Sequence, residues 1–61
     1  MKNDKVTITC YGKTKVWNRI DALSFFLVGM ASCDPGSSEC GRYTKIYTEL
    51  KMGKTVIKDL D

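Results

Sequence analysis

From Arg19 onward the sequence reads as a helix that is apolar on nearly every side, and a single short chain can scarcely wrap such a helix by itself. Ile20, Leu23, Leu27, Met30 and Ala31 are spaced to cover a sheet, yet Ala22, Phe25, Phe26, Val28 and Gly29 are apolar as well. With 61 residues there is room for one core and one domain, 1–61, because a chain of this size buries only about 60% of its unfolded surface. Phe25 and Val28 are therefore expected to lie exposed in a monomer, which predicts a homodimer or higher oligomer built on Phe25, Val28 and Gly29. The alternative is that both phenylalanines tuck under a second helix. Asn18 and Asp21 mark the helix start as a shortened capping box, with Asn18 accepting from the Asp21 backbone N–H. The helix should end near Ser32 or Cys33, where Asp34-Pro35-Gly36-Ser37 supplies turn chemistry.

Ahead of that helix, Val6 to Tyr11 alternates, with Val6, Ile8 and Cys10 on one face and Thr7, Thr9 and Tyr11 on the other, as a half-buried strand does. Lys13 to Trp17 alternates again after Gly12, so the two runs form a hairpin. A two-residue Gly12-Lys13 turn would set Ile8 opposite Trp17, whereas a three-residue loop would set Ile8 opposite Val16. The choice decides whether Trp17 or Val16 enters the core, and the residues leave both open. Beyond the turn, Cys40, Tyr43, Ile46, Tyr47 and Leu50 form the stripe of a second helix, with Arg42, Lys45, Glu49 and Lys51 facing water and Gly53 placed as a left-handed cap. Thr55 to Ile57 closes the chain as a short strand. The predicted fold is α+β, order β-β-α-α-β: a small, mostly antiparallel sheet with two helices on one face.

Composition narrows the chemistry. Three cysteines without CxxC spacing and no histidine oppose both a disulfide framework and a structural zinc site, so no metal and no cofactor are expected. Cys10 and Cys40 fall on inward faces as small hydrophobes. Cys33 and Cys40 flank the interhelix turn, and free thiols are the expectation for a reducing cytoplasm. The polar start Met1-Lys2-Asn3-Asp4 does not read as a signal peptide, and the apolar run Phe25 to Ala31 is far short of the ~20 residues that span a membrane. A net charge of +3, spread along the chain, permits a polyanionic partner without pointing to one. Tyr11-Gly12-Lys13-Thr14 lacks the glycine loop of a phosphate-binding motif, and Asp34 and Glu39 read as turn and helix-end acids, so no catalytic residue and no enzyme activity is expected.

The segment Ser37-Ser38-Glu39-Cys40-Gly41-Arg42-Tyr43 carries the strongest binding signal. Ser37 or Ser38 caps the second helix, whose first backbone N–H groups then offer an anion site. Gly41, a poor helix former, fits an approach to the backbone there. Arg42 adds a five-donor fork suited to phosphate, and Tyr43 or Tyr11 offers a ring for a base or ribose. Structurally, the same residues read as a cap, a Glu39 that favours the helix end, an Arg42 paired with Glu39 or Asp34, and a core Tyr43. Lys13, Lys15 and Arg19 would carry a third possibility, nucleic-acid binding.

The run Ser37 to Leu50, with its following Ile46-Tyr47 and Leu50, resembles short proteins of bacterial phages and mobile elements that show a Gly-Ser-Glu-x-x-Arg-Tyr signature. Here Gly36-Ser37-Ser38-Glu39 has one extra Ser. The resemblance implies a counter-defence setting in the cytoplasm of a bacterial host, acting by binding. On it rests the expected function: an oligomeric protein that sequesters a nucleotide-like ligand through Ser37, Ser38, Glu39, Arg42, Tyr43 and Tyr11. The alternative is a protein–protein inhibitor of a host defence nuclease.

Overall fold

The computed structural model describes residues 4–60, so the Met1–Asn3 part of the polar start lies outside the described residues. It contains β1 (Lys5–Cys10), β2 (Lys13–Asn18), α1 (Arg19–Ser32), α2 (Ser38–Lys51) and β3 (Val56–Lys58), the expected order. The sheet runs β2-β1-β3: β1 pairs with β2 antiparallel along six residues and with β3 parallel along three. Both helices pack on one face, over a core of Val6, Ile8, Ala22, Phe26, Ile46, Leu50 and Ile57.

The hairpin takes neither register weighed above. Val6 lies opposite Trp17, Ile8 opposite Lys15 and Cys10 opposite Lys13, so the two-residue loop is Tyr11-Gly12. Both of its residues have positive φ, 54° at Tyr11 and 78° at Gly12, as a type I′ turn requires and as the twist of the flanking strands favours. Left-handed backbone is natural for glycine but unfavourable for tyrosine. An aromatic ring suits the end of a strand, but Tyr11 lies in the turn, where contacts from distant parts of the chain support its conformation. The register turns Trp17 inward and leaves Val16 exposed.

α1 starts at Arg19 as expected, but Asn18 makes no side-chain bond to the helix backbone. Its amide donates to the Asp21 carboxylate at 3.2 Å instead. The sheet-covering stripe is also rotated from the one expected. Ala22 and Phe26 are buried, Leu23 packs against the core, and Ile20 and Leu27 are exposed. An all-round apolar helix offers no polar face to fix its rotation, so packing chooses the face. The buried Phe26 meets Trp17 at 5.7 Å and Tyr43 at 5.6 Å between ring centroids. Phe25 does not tuck under α2: it is 51% exposed.

α2 shows the expected inward stripe, with Ile46 and Leu50 buried and Tyr43 and Tyr47 packed on the core. Its end is a Schellman motif: Gly53, at φ 93°, donates to Leu50 O, and Lys54 donates to Glu49 O. Arg19 reaches across from α1 and donates to Leu50 O at 2.7 Å and to Asp4 Oδ2 at 2.7 Å, placing a cation at the negative end of α2. Arg42, Lys45 and Glu49 do not simply face water. Arg42 pairs with Asp59, just past β3, while Lys45 donates to Lys58 O and pairs with Glu49.

Candidate functional site

Two separate places receive the residues singled out in the sequence. The first is an open groove of about 520 Å³ between the outer side of α1 and the first turns of α2. Ser24, Phe25, Val28, Gly29, Ser32 and Cys33 line it from α1 and its end, and Glu39 and Tyr43 from α2. The three residues expected at an oligomer interface thus share one surface with two of the expected ligand residues. Of the described residues, Ser37, Ser38, Arg42 and Tyr11 do not line it.

The groove owes its shape to Gly29. A Cβ built there would meet Tyr43 Cδ2 at 2.7 Å, so glycine lets the Tyr43 ring lie directly on the α1 backbone. Gly29 serves contact within the chain, and helix propensity is sacrificed for it. Tyr43 is fixed further by Phe26 and by donating its hydroxyl to Glu39 Oε2 at 3.0 Å. That hydrogen bond, more than burial, raises the Tyr43 pKa and keeps the phenol neutral. Gly29→Ala is expected to destabilise the chain by about 1–2 kcal/mol, because the overpacking cost exceeds the helix-propensity gain. Urea unfolding checks this, and in a Tyr43→Leu background the same substitution should become neutral or stabilising.

The groove mouth is held by a covalent bond. Cys33 and Cys40 form a disulfide with a Cα–Cα distance of 5.5 Å, which corrects the expectation of two free thiols. The type of turn brought them into range: Ser37 N–H donates to Asp34 O at 3.1 Å, folding the chain back after α1. Ser37, not Ser38, then caps α2, its Oγ accepting from the Cys40 N–H at 3.1 Å. Gly41 is open: a Cβ there would meet nothing within 4 Å.

The second place lies around Asp59, which sequence reasoning missed entirely. Its carboxylate is 6% exposed, accepts from the Tyr11 backbone N–H at 2.9 Å and pairs with Arg42 Nη1 at 2.5 Å. The Arg42 guanidinium also lies against the Tyr11 ring, Cζ 4.5 Å from its centroid. Arg42 therefore pairs with neither Glu39 nor Asp34. The Tyr11 N–H hydrogen bond, followed by the Arg42 contact, holds the Asp59 carboxyl below its ordinary value against the opposing effect of burial. Cys10, the free thiol, lies close by; burial, and then the Asp59 charge, push its pKa up, which lowers its thiolate content.

Two of the basic residues of the nucleic-acid reading are already engaged within the chain. Lys15 lies over the Trp17 ring at 5.0 Å, and Arg19 is committed to Asp4 and to the end of α2. Among the described residues, no three His, Cys, Asp or Glu side chains cluster as metal ligands, and no helix is long and apolar enough to cross a membrane. What fold and geometry define together is a small α+β domain with an apolar groove between two helices and an ion-paired knot at its hairpin turn. No protein-family model, curated protein or solved structure matches the chain.

Proposed function

We propose that the chain is a small, non-enzymatic, self-associating protein of the phage counter-defence kind, which works by blocking a protein partner through the α1–α2 groove. The observation that carries this reading is the division of charge between the two places. Arg42, the guanidinium needed to neutralise a phosphate, is already matched by Asp59. Among the described residues, Glu39 is the one charged residue lining the groove, and a carboxylate repels anions. Phe25, 51% exposed beside the Tyr43 ring, is of the aromatic kind enriched in protein interfaces, and Val28, 64% exposed, extends the same apolar surface.

Capture of a nucleotide-like anion is the second reading, favoured by the exposed Tyr11 ring stacked against Arg42, which offers a planar face to a base. Native mass spectrometry of the protein purified from cells with an active defence separates the two. The expected result is a complex with a macromolecule that Val28→Asp abolishes, together with no thermal stabilisation by cyclic or ADP-ribose nucleotides. A retained nucleotide whose binding is lost in Arg42→Ala would replace the first reading with the second.

A further inference from the structure

The Cys33–Cys40 disulfide borders the groove, and its two sulfurs stand in different surroundings. Cys33 lines the groove, whereas Cys40 does not. Their helix ends are also opposite in sign. Cys33 is the C-cap of α1, its N–H donating to the Gly29 carbonyl, so it sits at the negative end of that helix. Cys40 is the third residue of α2, in the turn that Ser37 caps, at the positive end. The Met30 carbonyl oxygen adds to the difference, lying 3.3 Å from Cys33 Sγ and 3.9 Å from Cys40 Sγ. Glu39, the neighbour of Cys40, directs its carboxylate to the Tyr43 hydroxyl. Negative charge is therefore favoured on the Cys40 sulfur over the Cys33 sulfur.

We propose that this disulfide is a thiol-exchange site with a fixed direction: an incoming thiolate adds to Cys33 Sγ at the groove wall, and Cys40 leaves. The bond between the two cysteines breaks as a new one forms between Cys33 and the incoming sulfur. The electron pair of the broken bond goes to Cys40 as thiolate, so no further oxidant or reductant is needed. A second thiolate attacking the mixed disulfide releases the first thiol as a disulfide and leaves both cysteines reduced. Access and electrostatics select the same sulfur independently, since the leaving thiol in such an exchange is the one that better carries negative charge. The inference goes beyond partner blocking and does not rest on it.

The surroundings also select the thiol. Residues 20–41, which supply every groove-lining side chain except Tyr43, contain Asp21, Asp34 and Glu39 and no Lys or Arg. Phe25, Val28 and Tyr43 offer apolar contact in the same groove as Cys33. A thiol carried on an uncharged or cationic group is therefore favoured over one carried on an anionic group. Cys10 does not line the groove and takes no part.

The test uses the wild-type chain with cysteamine, a cationic thiol, and with glutathione, an anionic one. Exchange is stopped with N-ethylmaleimide, and cleavage before Asp34 puts Cys33 and Cys40 on separate peptides for mass spectrometry. The expected result is the added thiol on Cys33 and the maleimide on Cys40, with Cys33 preferred by about fivefold or more. At equal thiolate concentration, cysteamine should react roughly threefold faster than glutathione. An added thiol found mainly on Cys40, or shared evenly, overturns the direction and with it the proposal. A bond that resists both thiols at concentrations that reduce a small-molecule disulfide also overturns it and assigns the bond to structure alone. Equal rates for the two thiols overturn the preference for uncharged and cationic thiols. Each of these outcomes leaves partner blocking to be judged separately by Val28→Asp.

Discussion

Asp59→Ala is expected to lower stability by about 3 kcal/mol, a large fraction of what a domain of this size holds. Breaking a buried ion pair by removing one partner costs more than the pair contributes, since the remaining charge stays desolvated. Arg42 would be left in that position. Its side chain is 21% exposed and its Nε already lacks a hydrogen-bond partner, so it has little water to turn to. The loss also reaches Tyr11, whose N–H bonds Asp59 while its backbone is held at positive φ. Without that acceptor the left-handed residue, which costs about 1 kcal/mol, loses its backbone hydrogen bond. Asp59→Asn keeps an acceptor but not the charge, and should fall between wild type and Asp59→Ala.

The same group sets an acid limit. The folded carboxyl titrates below its ordinary value of 3.8, so the unfolded chain takes up the proton first as pH falls. Its contribution is fully present above that ordinary value and is lost as pH drops from there through the folded value. Urea midpoints measured from neutral to acid pH should therefore fall more gently in Asp59→Asn than in wild type. Parallel acid limbs in the two proteins would show that the ion pair does not govern acid stability.

Opening the Cys33–Cys40 disulfide is expected to cost about 2–3 kcal/mol. The bond closes a short loop, with a sequence separation of 7, and ties the end of α1 to the first turn of α2. Reduced, the unfolded chain regains loop entropy, and Ser37 alone then fixes the start of α2. A thiol reductant should lower the urea midpoint of the wild type, while Cys33→Ser/Cys40→Ser should start low and show no response. Alkylation gives an independent count: Cys10 alone should label without reductant and all three cysteines with it. Because Cys33 lines the groove and Cys40 lies one turn from Tyr43, partner affinity should fall on reduction as well.

The elements were legible in the sequence because each is written locally. Alternation marked β1 and β2, the 3.6-residue stripe marked α2, and Gly53 marked its end. The rotation of α1 was not legible, since a helix apolar all round has no local preference for which side it buries. Nor was the hairpin register: Tyr11 at positive φ contradicts its own propensity, and its supports are Asp59, 48 residues away, and the Arg42 guanidinium against its ring. Within the candidate site, the pairing of Glu39 with Tyr43 could have been read from its i, i+4 spacing. The pairing of Arg42 with Asp59 crosses from α2 to the end of β3, and no sequence period links them.

By itself, then, the sequence determined the number, kind and order of the elements and the apolar excess of α1, because periodicity, caps and turns act over a few residues. Tertiary structure alone decided which side of α1 is left uncovered, that Arg42 is matched from within, and that Cys33 and Cys40 meet. Each of these depends on how separate elements pack in space, where a single favourable contact between distant residues outweighs what any one of them prefers along the chain.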